Sequence, residues 1–134
     1  MDPEIKVEFI ISGELSPQEI SNLLGICPSR IWIKGERILN SKLLRKQNGW
    51  CLTSTVEQSN IDLESHIKDL LIILTPKAGE IVEICSDYGL YSEFSCAIDI
   101  VNNTPILNLS PETLDKISML KTAIDIDIVL FRKL

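Results

Sequence analysis

Residues 5 to 12 alternate in polarity. Ile5, Val7, Phe9 and Ile11 take one side, with Lys6, Glu8 and Ser12 on the other, the pattern of a strand with one buried face. Leu15-Ser16-Pro17-Gln18-Glu19-Ile20 then spells a helix start. Ser16 is the N-cap, Pro17 suits the first turn, Glu19 completes a capping box, and Leu15 with Ile20 forms a hydrophobic staple. Ile20, Leu23 and Leu24 give the inner stripe, and Gly25 with Pro28 ends it. Arg30 to Lys34 reads as a short strand. A polar, basic loop follows, with a helical turn expected around Leu43 and Leu44, and the residues from Trp50 to Val56 alternate as a further strand.

Asp62 opens the second helix, whose stripe is Leu63, Ile67, Leu70, Leu71 and Leu74; Pro76 and Gly79 close it. Ile81 to Cys85 is expected to be a short apolar strand, and Asp87-Tyr88-Gly89 a turn. Phe94, Cys96, Ile98 and Ile100 form the buried side of a long strand, broken by Asn102-Asn103-Thr104-Pro105. Leu109-Ser110-Pro111 then repeats the earlier Leu-Ser-Pro start, with Leu114 as its staple partner and Ile117 continuing the stripe. Ile124 to Phe131 is the last strand. Each Leu-Ser-Pro helix lies between two strands, so the chain reads as two strand-helix-strand halves, although Ser-Pro is a common helix start.

Strands with one apolar face, separated by amphipathic helices, predict an α+β fold in one domain over residues 1–134. The expectation is a mostly antiparallel sheet of about five to seven strands, with three helices on one face, ferredoxin-like with additions.

Composition narrows the function. The 134 residues are 45% hydrophobic and 24% charged, a globular balance. The longest apolar stretch, Leu70 to Leu74, is far short of a bilayer span, and Met1-Asp2-Pro3-Glu4 lacks a signal-peptide layout, so no membrane role and a cytoplasmic location are expected. A net charge of −6 argues against nucleic acid as principal partner. The charge is uneven: Lys34, Arg37, Lys42, Arg45 and Lys46 against Glu36 give the basic loop +4, leaving −10 elsewhere. Such a run is ordinarily a solvated face. Cys27, Cys51, Cys85 and Cys96 contain no Cys-x-x-Cys pair, and three of them fall in expected strands; reduced core thiols are the simpler reading.

Few residues offer chemistry. His66 is the only histidine and flanks the stripe of the second helix, a place suited to packing more than to catalysis. Asp125 and Asp127 share a face of the last strand and, with Asp99, could gather a hard cation. Carboxylates on the wet side of a sheet are the plainer reading, so no metal and no cofactor are expected. Trp32 and Trp50 bracket the basic loop; either they are core, or with Arg37, Lys42, Arg45, Lys46 and His66 they form an anion or nucleotide site. Phosphate-loop, nucleophile-elbow and zincin motifs are absent from the sequence.

The order of several short motifs carries more. Gly13 to Ile20, Leu24-Gly25-Ile26, Pro28-Ser29, Gly49-Trp50, Asp62 to Ile67, Leu107 to Leu114 and Ile124-Asp125-Ile126-Asp127-Ile128 together resemble the bacterial family called domain of unknown function 4279, from about Val7 to Ile128. Val129 stands where the family pattern suggests a tyrosine, so any role of that tyrosine does not carry over. The resemblance implies a small α+β domain without a settled activity, some members being read as immunity proteins encoded beside toxins. Two expectations follow. The first is a non-catalytic protein that binds a basic toxin domain through Asp125, Asp127 and Asp99. The second is a small-molecule or anion-binding domain built on the basic loop.

Overall fold

A computed structural model describes residues 4–102 and 104–131; Met1 to Pro3, and Asn103 within the expected strand break, lie outside them. The elements run β1 (Glu4–Gly13), α1 (Pro17–Leu24), β2 (Arg30–Trp32), β3 (Asn48–Thr53), α2 (Leu63–Leu74), a single 3-10 turn (Thr75–Lys77), α3 (Ala78–Tyr88), β4 (Tyr91–Ile100), α4 (Pro111–Met119) and β5 (Ala123–Leu130). The five strands form one sheet in the order β2-β3-β1-β4-β5. Three of its pairings are antiparallel and the last, β4 with β5, is parallel. A parallel pair needs a crossover, which α4 supplies.

Alternation in β1 does what it predicts. Ile5, Val7, Phe9 and Ile11 are buried and register with Ile98, Cys96, Phe94 and Ser92 of β4. Trp50 and Leu52 of β3 join them from the other side. The rings of Phe9 and Phe94 sit 5.2 Å apart and tilted, a favourable aromatic contact. All four helices feed this one core, through Ile20 and Leu24, Leu63 to Leu74, Ile81 and Ile84, and Ile117.

The three expected helix starts are present. Ser16 Oγ accepts from the Glu19 N–H at 3.2 Å, Asp62 from Glu64 at 3.3 Å and Ser110 from Thr113 at 3.3 Å. Two details differ from expectation. The N–H of Ser110 donates to the Glu64 carboxylate of α2, so the Ser110 cap is completed by another helix. Leu114 is exposed, and the inward side of α4 is Thr113 and Ile117, with Leu120 just beyond.

The expected strand over Ile81–Cys85 is a helix. Ala78, Ile81 and Ile84 recur at helical spacing and are buried, and Gly89, left-handed at φ 63°, ends α3 with its N–H on the Cys85 carbonyl. Cys85 therefore sits on a helix. The expected helical turn at Leu43 and Leu44 is instead the return limb of a hairpin-like arm, residues 33–47. Its rungs are Gly35 N–H to Arg45 O, Arg45 N–H to Glu36 O and Ile38 N–H to Leu43 O, at 2.7–2.9 Å.

Candidate functional site: the open face of the sheet

The side of the sheet away from the helices is the place where polar side chains converge. Its centre is Glu8, which is only 7% exposed. Register places Thr53 of β3 opposite it and sets Arg30 of β2 beside Cys51 of β3. Arg30 grips the carboxylate with both arms of its fork: Nε donates to Oε2 at 3.0 Å and Nη2 to Oε1 at 2.9 Å. The Cys51 thiol and the Thr53 hydroxyl each donate to Oε2 at 3.0 Å.

Burial alone would raise the Glu8 carboxyl, but Arg30, Cys51 and Thr53 outweigh it and hold the group down at about 2. The same burial, with the carboxylate alongside, pushes the Cys51 thiol up to about 12. At neutral pH Cys51 is therefore a protonated donor and no nucleophile. This network fixes Arg30 in place; its chemistry is that of a satisfied ion pair whose carboxylate is buried and whose guanidinium reaches the surface.

Beyond Arg30 lies Trp32, half-buried against the backbone of Gly49. The guanidinium carbons of Arg30 and Arg45 lie 4.9 and 4.3 Å from the centre of its ring, both within cation–π range. The base of the arm is pinned by Asn48, which accepts from the Lys34 N–H at 2.8 Å and donates to the carbonyls of Glu14 and Leu15. Between arm and sheet opens a cleft of about 340 Å³, with Trp32, Ile38, Leu43, Leu44, Arg45 and Lys46 among its walls. A larger groove of about 480 Å³ separates α2 from α4. Its lysines are already engaged, Lys68 with Glu64 and Lys116 with Glu112.

The opposite edge of the open face is acidic. Asp99, Asp125 and Asp127 point outward with Glu93, since Asp125 registers with Ser95, Asp127 with Ala97 and Val129 with Asp99. Partial burial, and then the negative charge of Asp125, raise the Glu93 carboxyl. Among the described residues no three histidine, cysteine or acidic side chains are grouped to hold a metal ion.

The structure thus brings Asp99, Asp125 and Asp127 to one edge, and Arg37, Lys42, Arg45 and Lys46 to one arm. It keeps Trp32 beside that arm but separates Trp50 and His66 from it. Trp50 is fully buried, its indole N–H donating to Ser21 Oγ at 3.0 Å. His66 is fully buried too, with Nε2 2.7 Å from the Asn60 carbonyl. Neither can meet a ligand at the surface. Residue order does not foreshadow the cluster of Glu8, Arg30 and Cys51. Alternation marks Glu8 as outward but carries no signal that Arg30 would close over it.

A family model described as Domain of unknown function (DUF4279) matches residues 3–130. The chain belongs to this family. No curated protein and no solved structure matches it. Most of the residues that carry the DUF4279 resemblance are architectural: Ser16, Asp62 and Ser110 cap helices, Gly25 ends α1, Gly49 seats Trp32 and Trp50 fills the core. The last of these motifs differs: Asp125 and Asp127 are exposed, and so are Ile126 and Ile128.

Proposed function

We propose that the chain is a small non-catalytic binding protein of the cytoplasm that captures a basic protein partner along β5. An immunity protein neutralising a toxin domain by stoichiometric binding is the form of this reading that the family resemblance favours. One observation carries it. β5 is an eight-residue edge strand whose apolar side is largely uncovered, with Ile126 45%, Ile128 48% and Leu130 62% exposed. An edge strand offers unpaired backbone groups to an incoming strand, and its alternate side chains set the specificity. Asp125 and Asp127 on the other side of the strand supply charge that speeds encounter with a basic surface.

The order β2-β3-β1-β4, antiparallel throughout, supports reading the first four strands as a ferredoxin-like unit to which α4 and β5 are added. The non-catalytic reading is supported by the burial of His66 and Cys51, which leaves the two strongest candidates for proton transfer and nucleophilic attack out of reach of a substrate.

The test is co-production with the product of a neighbouring toxin gene. The parent chain should protect the cell and co-purify with that product. Ile126→Lys with Ile128→Lys should lose both effects while melting normally, and Asp125→Asn with Asp127→Asn should slow association at low salt and flatten its salt dependence. Unchanged protection by the lysine variant would exclude β5 as the contact.

A further inference from the structure

The arm holds an excess of cations that nothing in the fold answers. Lys34 pairs with Glu14 at 3.3 Å, but Arg37, Lys42, Arg45 and Lys46 make no ion pair among the described residues, although the chain has 19 carboxylate residues. Arg30 and Arg45 flank the same indole, yet they differ in kind. The charge of Arg30 is met by Glu8, whereas that of Arg45 is held over Trp32 without a counter-charge. Stacking on the ring restricts where the guanidinium can go, so its remaining donors are ordered before any ligand arrives.

Arg45 and Lys46 border the cleft, while Trp32, Ile38, Leu43 and Leu44 give it apolar walls. Leu43 and Leu44 remain 68% and 58% exposed, apolar surface that a ligand would cover. The volume of about 340 Å³ falls at the small end of small-molecule sites, room for a body of about ten non-hydrogen atoms. A long polyanion is disfavoured, because the rest of the chain carries ten negative charges in excess and would repel it.

We infer that this cleft is a binding site for a small organic anion, with a single phosphate or carboxylate head on Arg45 and Lys46 and an aromatic or short aliphatic body against Trp32 and Leu44. The planar fork of Arg45 suits either head, through paired N–H donors. The site lies on the β2–β3 side of the sheet, away from β5, and is independent of the protein-binding reading.

The experiment uses the full chain at low salt, with calorimetry and the indole N–H resonances as readouts. Four probes are titrated: phenyl phosphate, benzoate, inorganic phosphate and benzyl alcohol. Phenyl phosphate or benzoate should bind saturably and at least tenfold more tightly than both inorganic phosphate and benzyl alcohol, shifting the Trp32 resonance and leaving that of buried Trp50 in place. Which of the two aromatic anions binds tells the phosphate head from the carboxylate. Arg45→Gln should weaken binding at least tenfold, Leu44→Ser should weaken the aromatic anion but not inorganic phosphate, and Lys42→Gln, outside the cleft, should change neither. The inference is overturned if neither aromatic anion saturates, if inorganic phosphate binds as well, if Arg45→Gln has no effect, or if Trp50 responds in place of Trp32. Thermal melts confirm that each variant is folded.

Discussion

The indole of Trp32 occupies the space that a side chain on Gly49 would need: a Cβ there would lie 1.9 Å from Cε2 and 2.3 Å from Nε1 of the ring. The two residues face each other across β2 and β3. The backbone of Gly49 has no positive φ, so the constraint is steric alone. Gly49→Ala should therefore push the ring off the sheet, destabilise the fold by about 1–3 kcal/mol and increase the solvent exposure of Trp32. Urea melts followed by tryptophan fluorescence measure both effects. If the cause is the ring, adding Trp32→Ala to Gly49→Ala should recover most of the loss; no recovery would place the cost elsewhere.

The Glu8 network sets an acid limit. Its carboxyl titrates near 2 in the fold against an ordinary value of 4.5, so its contribution is complete above pH 4.5, declines as the pH falls below that and is gone near 2. The size is roughly 3 kcal/mol. Glu8→Gln should lower stability at pH 7 by about that amount and narrow its gap to the parent between pH 4.5 and 2. Denaturant midpoints across that range, with a gap that stays constant, would exclude the ion pair as the source.

The two serine caps should differ in value. Ser16→Ala removes one hydrogen bond at an exposed helix start and should cost about 0.5–2 kcal/mol. Ser110→Ala removes the equivalent bond and also the 3.2 Å contact between the Ser110 and Thr113 hydroxyls. Thr113 is 1% exposed, and a buried hydroxyl deprived of its partner adds a further penalty of about 1–3 kcal/mol. Equal costs for the two variants in urea would show that Thr113 finds another partner.

Where the sequence was legible, a local rule and the tertiary fold agreed. The Ser-Pro starts, the stripe from Leu63 to Leu74 and the alternation of β1 and β4 are all visible in the residue order. Ile81–Cys85 misled because five residues rich in β-branched side chains fit either period. Ala78, three positions before Ile81, was the sign of a helix, and Gly89 was its stop rather than part of a strand-bounding turn. The acidic half of the open face was legible for the same reason as β1, since residues two apart share a side. The Trp32 half was not, because it depends on Arg45 folding back across the arm onto β2, and on Gly49 leaving space on β3. The two tryptophans look alike in sequence, and only the register separates the buried one from the accessible one.

The way β5 is attached sets the order in which the molecule comes apart. Within the sheet β5 is hydrogen-bonded to β4 alone, and α4 has to be in place before a parallel strand can return to that position. A transient opening can therefore peel the C-terminal strand away while Phe9, Phe94 and Trp50 stay packed. In native-state hydrogen exchange the β5 amides should open at lower free energy than those of β1, with a shallow dependence on denaturant. The strand held by a single neighbour would then be the first to be released, and a partner that pairs with it would slow that release.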